Sequence, residues 1–233
     1  MFRTTKCMAQ LMIMLAMLVS LPALAHAGEQ AVVIPAPLLD NPKVSGPLQT
    51  AVLAGGCFWG VQGVYQHVRG IRTVLSGYAG GTRETAHYQA VSRGTTGHAE
   101  SVEIRFDPKE VSYGEILQIF FSVVHDPTQL DRQGPDTGPQ YRSNIFYADD
   151  AQRKVAQAYL VQLGKTSLFG RPIVTRLDAL EGFYAAEPYH QDFLINNPQY
   201  PYIVINDLPK IENLRTLFPA LYRDQAVTVK NSN

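Results

Sequence analysis

The run Thr50-Ala51-Val52-Leu53-Ala54-Gly55-Gly56-Cys57-Phe58-Trp59-Gly60-Val61 decides how this chain is read. Residues 50–54 are a short apolar stretch of the kind that forms a buried strand. Glycines end it. Beyond Cys57, the residues Val61, Val64, Tyr65 and Val68 recur at i, i+3, i+4 and i+7, which is one face of a helix. The stretch is therefore strand, glycine turn, helix, with Cys57 at or near the helix N-terminus. Unpaired N–H groups and the macrodipole favour an anion there, so a thiol in this place is expected to have a lowered pKa. The same turn carries Trp59, the single tryptophan, and one of only two cysteines. It is either a tightly packed turn or a reactive thiol beside an aromatic cage.

Working outward, residues 72–78 suggest a second strand ending at Gly80-Gly81, and residues 82–98 are polar and without period. From Ser101 the alternation is clean: Val102, Ile104 and Phe106 face one way, Ser101, Glu103 and Arg105 the other. This is a half-buried strand stopped by Asp107-Pro108. Ser112-Tyr113-Gly114-Glu115 is a capping box opening a helix that runs to about His125. The polar segment from His125 to Ser143 contains Gly134-Pro135 and Gly138-Pro139, and so long a loop in a compact domain is more often functional than accidental. Residues 145–147 read as a strand. A helix capped by Asp149 or Asp150 carries Val155, Tyr159 and Leu163 and stops at Gly164. Residues 172–177 form a further strand, 187–197 a short helix and 210–217 a weaker one. Strands alternating with helices imply a sheet covered by helices on at least one face, α/β or α+β.

The chain begins with a basic segment holding Arg3 and Lys6, an apolar run from Met8 to Ala25, and Ala25-His26-Ala27. These are the parts of a cleavable secretory leader over residues 1–27. An uncleaved anchor is the alternative, since about 18 apolar residues could just span a bilayer, but Pro22 and the small-x-small site favour removal. Residues 28–49 then form an irregular arm before a single domain. Removal of Arg3 and Lys6 lowers Lys+Arg from 20 to 18 against 20 Asp+Glu, a net charge of −2. Such a balance exerts no global pull on nucleic acid or an anionic membrane, and nothing in it calls for obligate assembly, so a monomer is expected. With no anchor after cleavage, the expected location is the bacterial periplasm. Cys7 leaves with the leader, so Cys57 remains alone. In an oxidising compartment cysteines normally pair, which marks a lone one as a candidate reactive thiol.

Around Cys57 the candidate partners are Tyr88, Glu100, Asp136 and Tyr141, with the histidines His98 and His190. Gly97-His98-Ala99-Glu100 places a carboxyl at a strand end, where sites assemble in open sheets. Gly138-Pro139-Gln140-Tyr141 is a rigid turn presenting an aromatic hydroxyl. These motifs resemble, in order, those of the A-class peptide methionine sulfoxide reductases: Gly55-Gly56-Cys57-Phe58-Trp59-Gly60, Gly77-Tyr78-Ala79-Gly80-Gly81, then Tyr88 and Thr96-Gly97-His98-Ala99-Glu100. His125-Asp126-Pro127-Thr128, Asp136-Thr137-Gly138-Pro139-Gln140-Tyr141-Arg142-Ser143 and Glu187-Pro188-Tyr189-His190-Gln191 follow. The resemblance spans residues 50–207.

It implies an α+β fold, a mixed sheet with a β-α-β core flanked by helices. It also implies thiol-dependent reduction of methionine S-sulfoxide, free or in oxidised proteins, with no metal or cofactor. In that scheme Cys57 attacks the sulfoxide sulfur and becomes a sulfenic acid. Glu100 protonates the oxygen from a buried setting that raises its pKa. Tyr88 and Tyr141 donate hydrogen bonds to that oxygen. Asp136 holds the polar side of the pocket through water, and Phe58 with Trp59 cages the S-methyl group. One departure matters: many relatives carry recycling cysteines in the C-terminal tail, and residues 208–233 have none. An external thiol, small or thioredoxin-like, is therefore expected to resolve the sulfenic acid. The competing readings are a cysteine hydrolase pairing Cys57 with His98 or His190, and a binding module using only the aromatic cage.

Overall fold

A computed structural model describes residues 31–229, so the leader read over residues 1–27 lies outside the described residues. The apolar run at 50–54 is strand β1 (Gln49–Gly55), and the glycine turn delivers the chain into helix α1 (Phe58–Gln66). The helix stops short of Val68, which is nonetheless fully buried and bridges to Tyr222. Strand β2 (Ile71–Ala79) follows, then a single helical turn α2 (Tyr88–Val91) inside the segment that reads as aperiodic, then strand β3 (Ala99–Phe106).

Helix α3 (Tyr113–Ile119) opens on the Ser112 capping box and continues as a wider π-type turn, Phe120–Val124. Two short strands, β4 (Arg132–Gln133) and β5 (Asp136–Thr137), fold the long polar segment into a ribbon. After them come β6 (Ser143–Tyr147), α4 (Asp150–Gly164), β7 (Arg176–Ala179) and β8 (Phe183–Ala185). One-turn helix α5 (Phe193–Asn196), a π-type turn at Ile203–Asp207 and helix α6 (Leu208–Leu217) complete the order.

The main sheet runs β7-β6-β1-β3-β2-β8. Both β1 and β2 are antiparallel to β3, which lies between them, so β1-α1-β2 is a β-α-β unit split by an inserted strand. Among the described residues only β6 and β7 pair in parallel. Alternation along β1 sends Ala51 and Leu53 into the helix-covered core and Val52 and Ala54 to the other face. The main core packs Leu53, Val102, Ile104 and Phe106 against Val64, Tyr65, Ile116 and Tyr159.

The edge strands β7 and β8 are joined by residues 180–182 alone. That link reaches at most about 14 Å, whereas a flat six-stranded sheet would separate its edges by about 24 Å. The sheet is therefore strongly curled. Its inner face is lined by Val52, Ala54, Ala79, Ala99 and Phe146, with Leu180 and Phe183 packed across it. Small side chains at three of those positions permit the curl.

Two elements differ from the sequence expectation. The strand read at 172–177 begins only at Arg176, because Val174 N–H bonds the Pro127 carbonyl before pairing with β6 starts. The helix read at 187–197 is interrupted: Pro188–His190 is a 3₁₀ turn, Gln191 is extended, and Asp192 adopts the left-handed conformation at φ 55°. The break lets Gln191 and Asp192 dock on α1 and β2. Gln191 Oε1 accepts from Ser76 N–H at 2.9 Å and from Gln62 Nε2 at 3.0 Å, and Asp192 Oδ1 accepts from Gln66 Nε2 at 2.6 Å. Helix α6 lies against the core through Leu214, which is fully buried.

Candidate active site

Cys57 is the N-cap residue of α1, placed there by a turn that only glycine satisfies at Gly56. Gly56 has φ +95°, and a β-carbon on it would sit 2.7 Å from the Gln133 side chain. Gly60, on the first turn of α1, leaves room for the buried Asp207 carboxylate, which a β-carbon would overlap. The glycines around Cys57 thus serve two close approaches, one to the β4 ribbon and one to the turn before α6.

The structure brings Cys57, Phe58, Trp59, Tyr88, Glu100, Asp136 and Tyr141 into one pocket of about 140 Å³. All seven residues singled out in the sequence line it. Glu100, near the start of β3 opposite Tyr78, is 3% exposed, and its Oε2 accepts from the Phe58 N–H at 3.0 Å. Burial pushes its pKa up to about 8, assisted by the Asp136 charge and opposed by the Phe58 hydrogen bond. Glu100 is accordingly a proton-bearing acid at neutral pH. Burial also raises the Tyr88 and Tyr141 hydroxyls, with the Glu100 charge second, so both remain O–H donors.

The expectation of a lowered thiol pKa is overturned. The Trp59 N–H lowers it as a helix N-terminus should, but burial raises it, and the carboxylates Glu100, Asp207 and Asp136 add to the rise. The thiol ends well above its ordinary value. At a helix start only one or two N–H groups reach the sulfur, whereas desolvation acts on the whole thiolate. Cys57 therefore rests as a neutral thiol.

The aromatic cage is deeper than Phe58 and Trp59. The indole stacks on Phe193 with ring centroids 3.7 Å apart and planes within 9°, and it meets Tyr200 and Tyr202 edge-on. Its Nε1–H donates to His190 Nδ1 at 3.1 Å. That bond puts the His190 proton on Nε2 and makes the histidine a brace for the cage. His190 also packs against Phe58 and Tyr88, at 5.0 and 4.7 Å between centroids. Asp136 Oδ2 accepts from the Tyr202 hydroxyl. Glu187 holds Tyr88 by its backbone, Oε1 accepting from Tyr88 N–H at 2.9 Å, while Oε2 accepts from the Tyr78 hydroxyl at 2.9 Å.

Tyr200, Tyr202 and Phe193 escaped the sequence reading. The signal available was the aromatic doublet Tyr200-Pro201-Tyr202 on an irregular stretch, which by itself names no partner. His98 bonds the Thr82 carbonyl at 2.9 Å and does not line the pocket. With His190 engaged by Trp59, neither histidine is placed as the base a cysteine hydrolase needs. Among the described residues no three His, Cys, Asp or Glu side chains gather as a metal site would require.

The chain is similar to known proteins along most of its length. The family model described as peptide methionine sulfoxide reductase matches residues 49–220. Peptide methionine sulfoxide reductase MsrA 2 of Mesorhizobium japonicum is 57% identical over 191 residues, covering 82% of this chain and 98% of the relative. A protein of the same name from Synechocystis is 52% identical over 186 residues, covering 78% and 87%. Among solved structures, Mxr1 of Saccharomyces cerevisiae in reduced form aligns with TM-score 0.59 at 32% identity, over 70% of this chain and 92% of that one. Methionine sulfoxide reductase A of Corynebacterium diphtheriae gives 0.53 at 30% identity, over 73% and 89%. With a turn-borne cysteine, a buried acid and an aromatic cage in one pocket, and with a family match across the whole sheet, the chain belongs to the peptide methionine sulfoxide reductase family.

Proposed function

We propose that this protein reduces methionine sulfoxide to methionine at Cys57 and is regenerated by external thiol. The observation that carries the reading is Glu100: a buried carboxyl that holds its proton to about pH 8, in the same pocket as the thiol, two tyrosine hydroxyls and the Phe58–Trp59 cage. The S-methyl group rests on the two rings, and the sulfoxide oxygen faces Glu100, Tyr88 and Tyr141. Glu100 gives its proton to the oxygen as the Cys57 sulfur attacks, and the vacated carboxylate takes up the thiol proton. Thiol ionisation is thereby tied to substrate, which suits a thiol whose resting pKa is high. The oxygen ends on Cys57 as a sulfenic acid, the thioether leaves, and the two electrons gained by the substrate sulfur come from Cys57.

The substrate is the S epimer, free or within oxidised proteins, so the activity is one of oxidative-damage repair. The enzyme works as a monomer in the periplasm after loss of its leader. Support for export is the basic, apolar and small-residue order of residues 1–27. Fractionation of the producing cells, with the N-terminus of the protein sequenced, tests this; an intact leader in the membrane fraction refutes it.

The activity is tested by offering each sulfoxide epimer with dithiothreitol to the protein and to Cys57→Ser. Turnover of the S epimer alone, abolished in the variant, is expected. Equal use of both epimers, or turnover surviving in Cys57→Ser, overturns the assignment.

A further inference from the structure

We propose that the regenerating thiol reaches Cys57 through a second opening, separate from the substrate pocket; this rests on the function just described. A cavity of about 20 Å³ borders Cys57 between Gln133-Gly134-Pro135 on one side and Asn206 with Lys210 on the other. It shares only Cys57, Asp136 and Tyr202 with the substrate pocket, and the bond from the Tyr202 hydroxyl to Asp136 stands in the partition. Neither the acid, the two donor tyrosines nor the Phe58–Trp59 cage lines it.

The chemistry of the second half-reaction calls for such a route. A thiol displaces oxygen from a sulfenic acid with nucleophile, sulfur and leaving oxygen close to a line. That oxygen arrives from the sulfoxide, on the side of Glu100, Tyr88 and Tyr141. The incoming sulfur must therefore approach Cys57 away from those three residues, and the second cavity borders Cys57 while none of the three lines it. Its size admits one water-sized group, enough for a sulfur at a chain end and too small for methionine sulfoxide. The Lys210 ammonium lines the same space, held 3.3 Å from Asp207 Oδ1, with Asp136 on the wall shared with the substrate pocket. Pro135, on the wall of this cavity, is exposed, so the opening gives onto the surface there.

The first thiol gives its proton to solvent and forms an S–S bond with Cys57 as the S–O bond breaks; the oxygen leaves as water with the Glu100 proton, which solvent then restores. A second thiol attacks the mixed disulfide, returning Cys57 as thiol and releasing the oxidised reductant. The two thiols together lose the two electrons that the sulfenic acid gains.

Filling the mouth with Asn206→Trp should leave single-turnover sulfoxide reduction within about twofold, while slowing reaction of the Cys57 sulfenic acid with dithiothreitol by about tenfold or more. An unchanged dithiothreitol step overturns the proposal. Absence of sulfoxide reduction in the unaltered protein would instead fault the proposed function, so the two failures are distinct. With reduced thioredoxin as reductant, a parallel loss assigns the route to protein dithiols as well. A retained rate with thioredoxin, alongside a lost one with dithiothreitol, assigns it to small thiols alone. A direct check is Asn206→Cys, taken through one turnover without reductant. Mass spectrometry should find a disulfide between Cys57 and the introduced thiol. A sulfenic acid that persists on Cys57 in this variant overturns the geometry.

Discussion

The two walls of the substrate pocket are held by different means. Cys57 and Glu100 sit where backbone geometry places them, at the end of β1 and the start of β3, and the Phe58 N–H joins them directly. The opposite wall, residues 187–202, has little regular structure. It is held by side chains: Glu187 on Tyr78 and Tyr88, Gln191 on Ser76 and Gln62, Asp192 on Gln66, and Trp59 on Phe193 and His190. Backbone fixes the reacting groups to within the tolerance that bond-making needs. Side-chain anchoring suffices for a wall whose task is apolar contact and exclusion of water.

The largest effect is expected from Glu100→Gln, which keeps the bulk and removes the acid. Single-turnover reduction should fall by about two to three orders of magnitude near neutral pH. The unaltered protein should lose its rate as pH rises through about 8, where Glu100 gives up its proton, and the variant should lack that fall. The same group couples to stability. Its folded pKa is raised, so its contribution is fullest below the ordinary carboxylate range and is lost as pH climbs towards about 8. Denaturant melts of both proteins across pH check the sign; a stability difference that grows with acidity in favour of the Gln variant contradicts it.

Next comes Gly60→Ala, which drives a methyl group into Asp207. A loss of about 1–3 kcal/mol is expected, read as an earlier urea midpoint. Against the side-chain wall, Gln191→Leu removes the bonds to Ser76 and Gln62. A comparable loss of about 1–3 kcal/mol is expected, with the single-turnover rate at saturating substrate retained better than in Glu100→Gln. If Gln191→Leu cost as much rate as Glu100→Gln, the division between the walls would fail. The smallest effect belongs to Phe193→Ala, which strips the stack beneath Trp59. KM should rise about three- to tenfold with kcat little changed; a fall confined to kcat would show the ring acts on the chemistry.

Several parts of the molecule are legible from neighbouring residues alone. The apolar run of β1, the alternation of β3, the Ser112 capping box and the Asp149 cap each depend on local sequence, and each appears where expected. The seven pocket residues are legible through the resemblance to a known family, which six of them enter within short motifs and Tyr88 as a single position between two of these motifs. The register of β7, the break at Asp192 and the short strand β8 are not, since each is set by bonds to residues far along the chain.

Local sequence is thus enough to specify the strand-turn-helix that presents Cys57 and a tail without cysteine, while the acid and hydroxyls that accompany it are named by the family resemblance of their motifs. The charge state of Cys57 needed the whole fold. A helix start argues for a thiolate from local dipoles, but burial and three carboxylates brought from β3, β5 and the turn before α6 outweigh it. Solvation is a property of everything that surrounds an atom, and no window of sequence contains it.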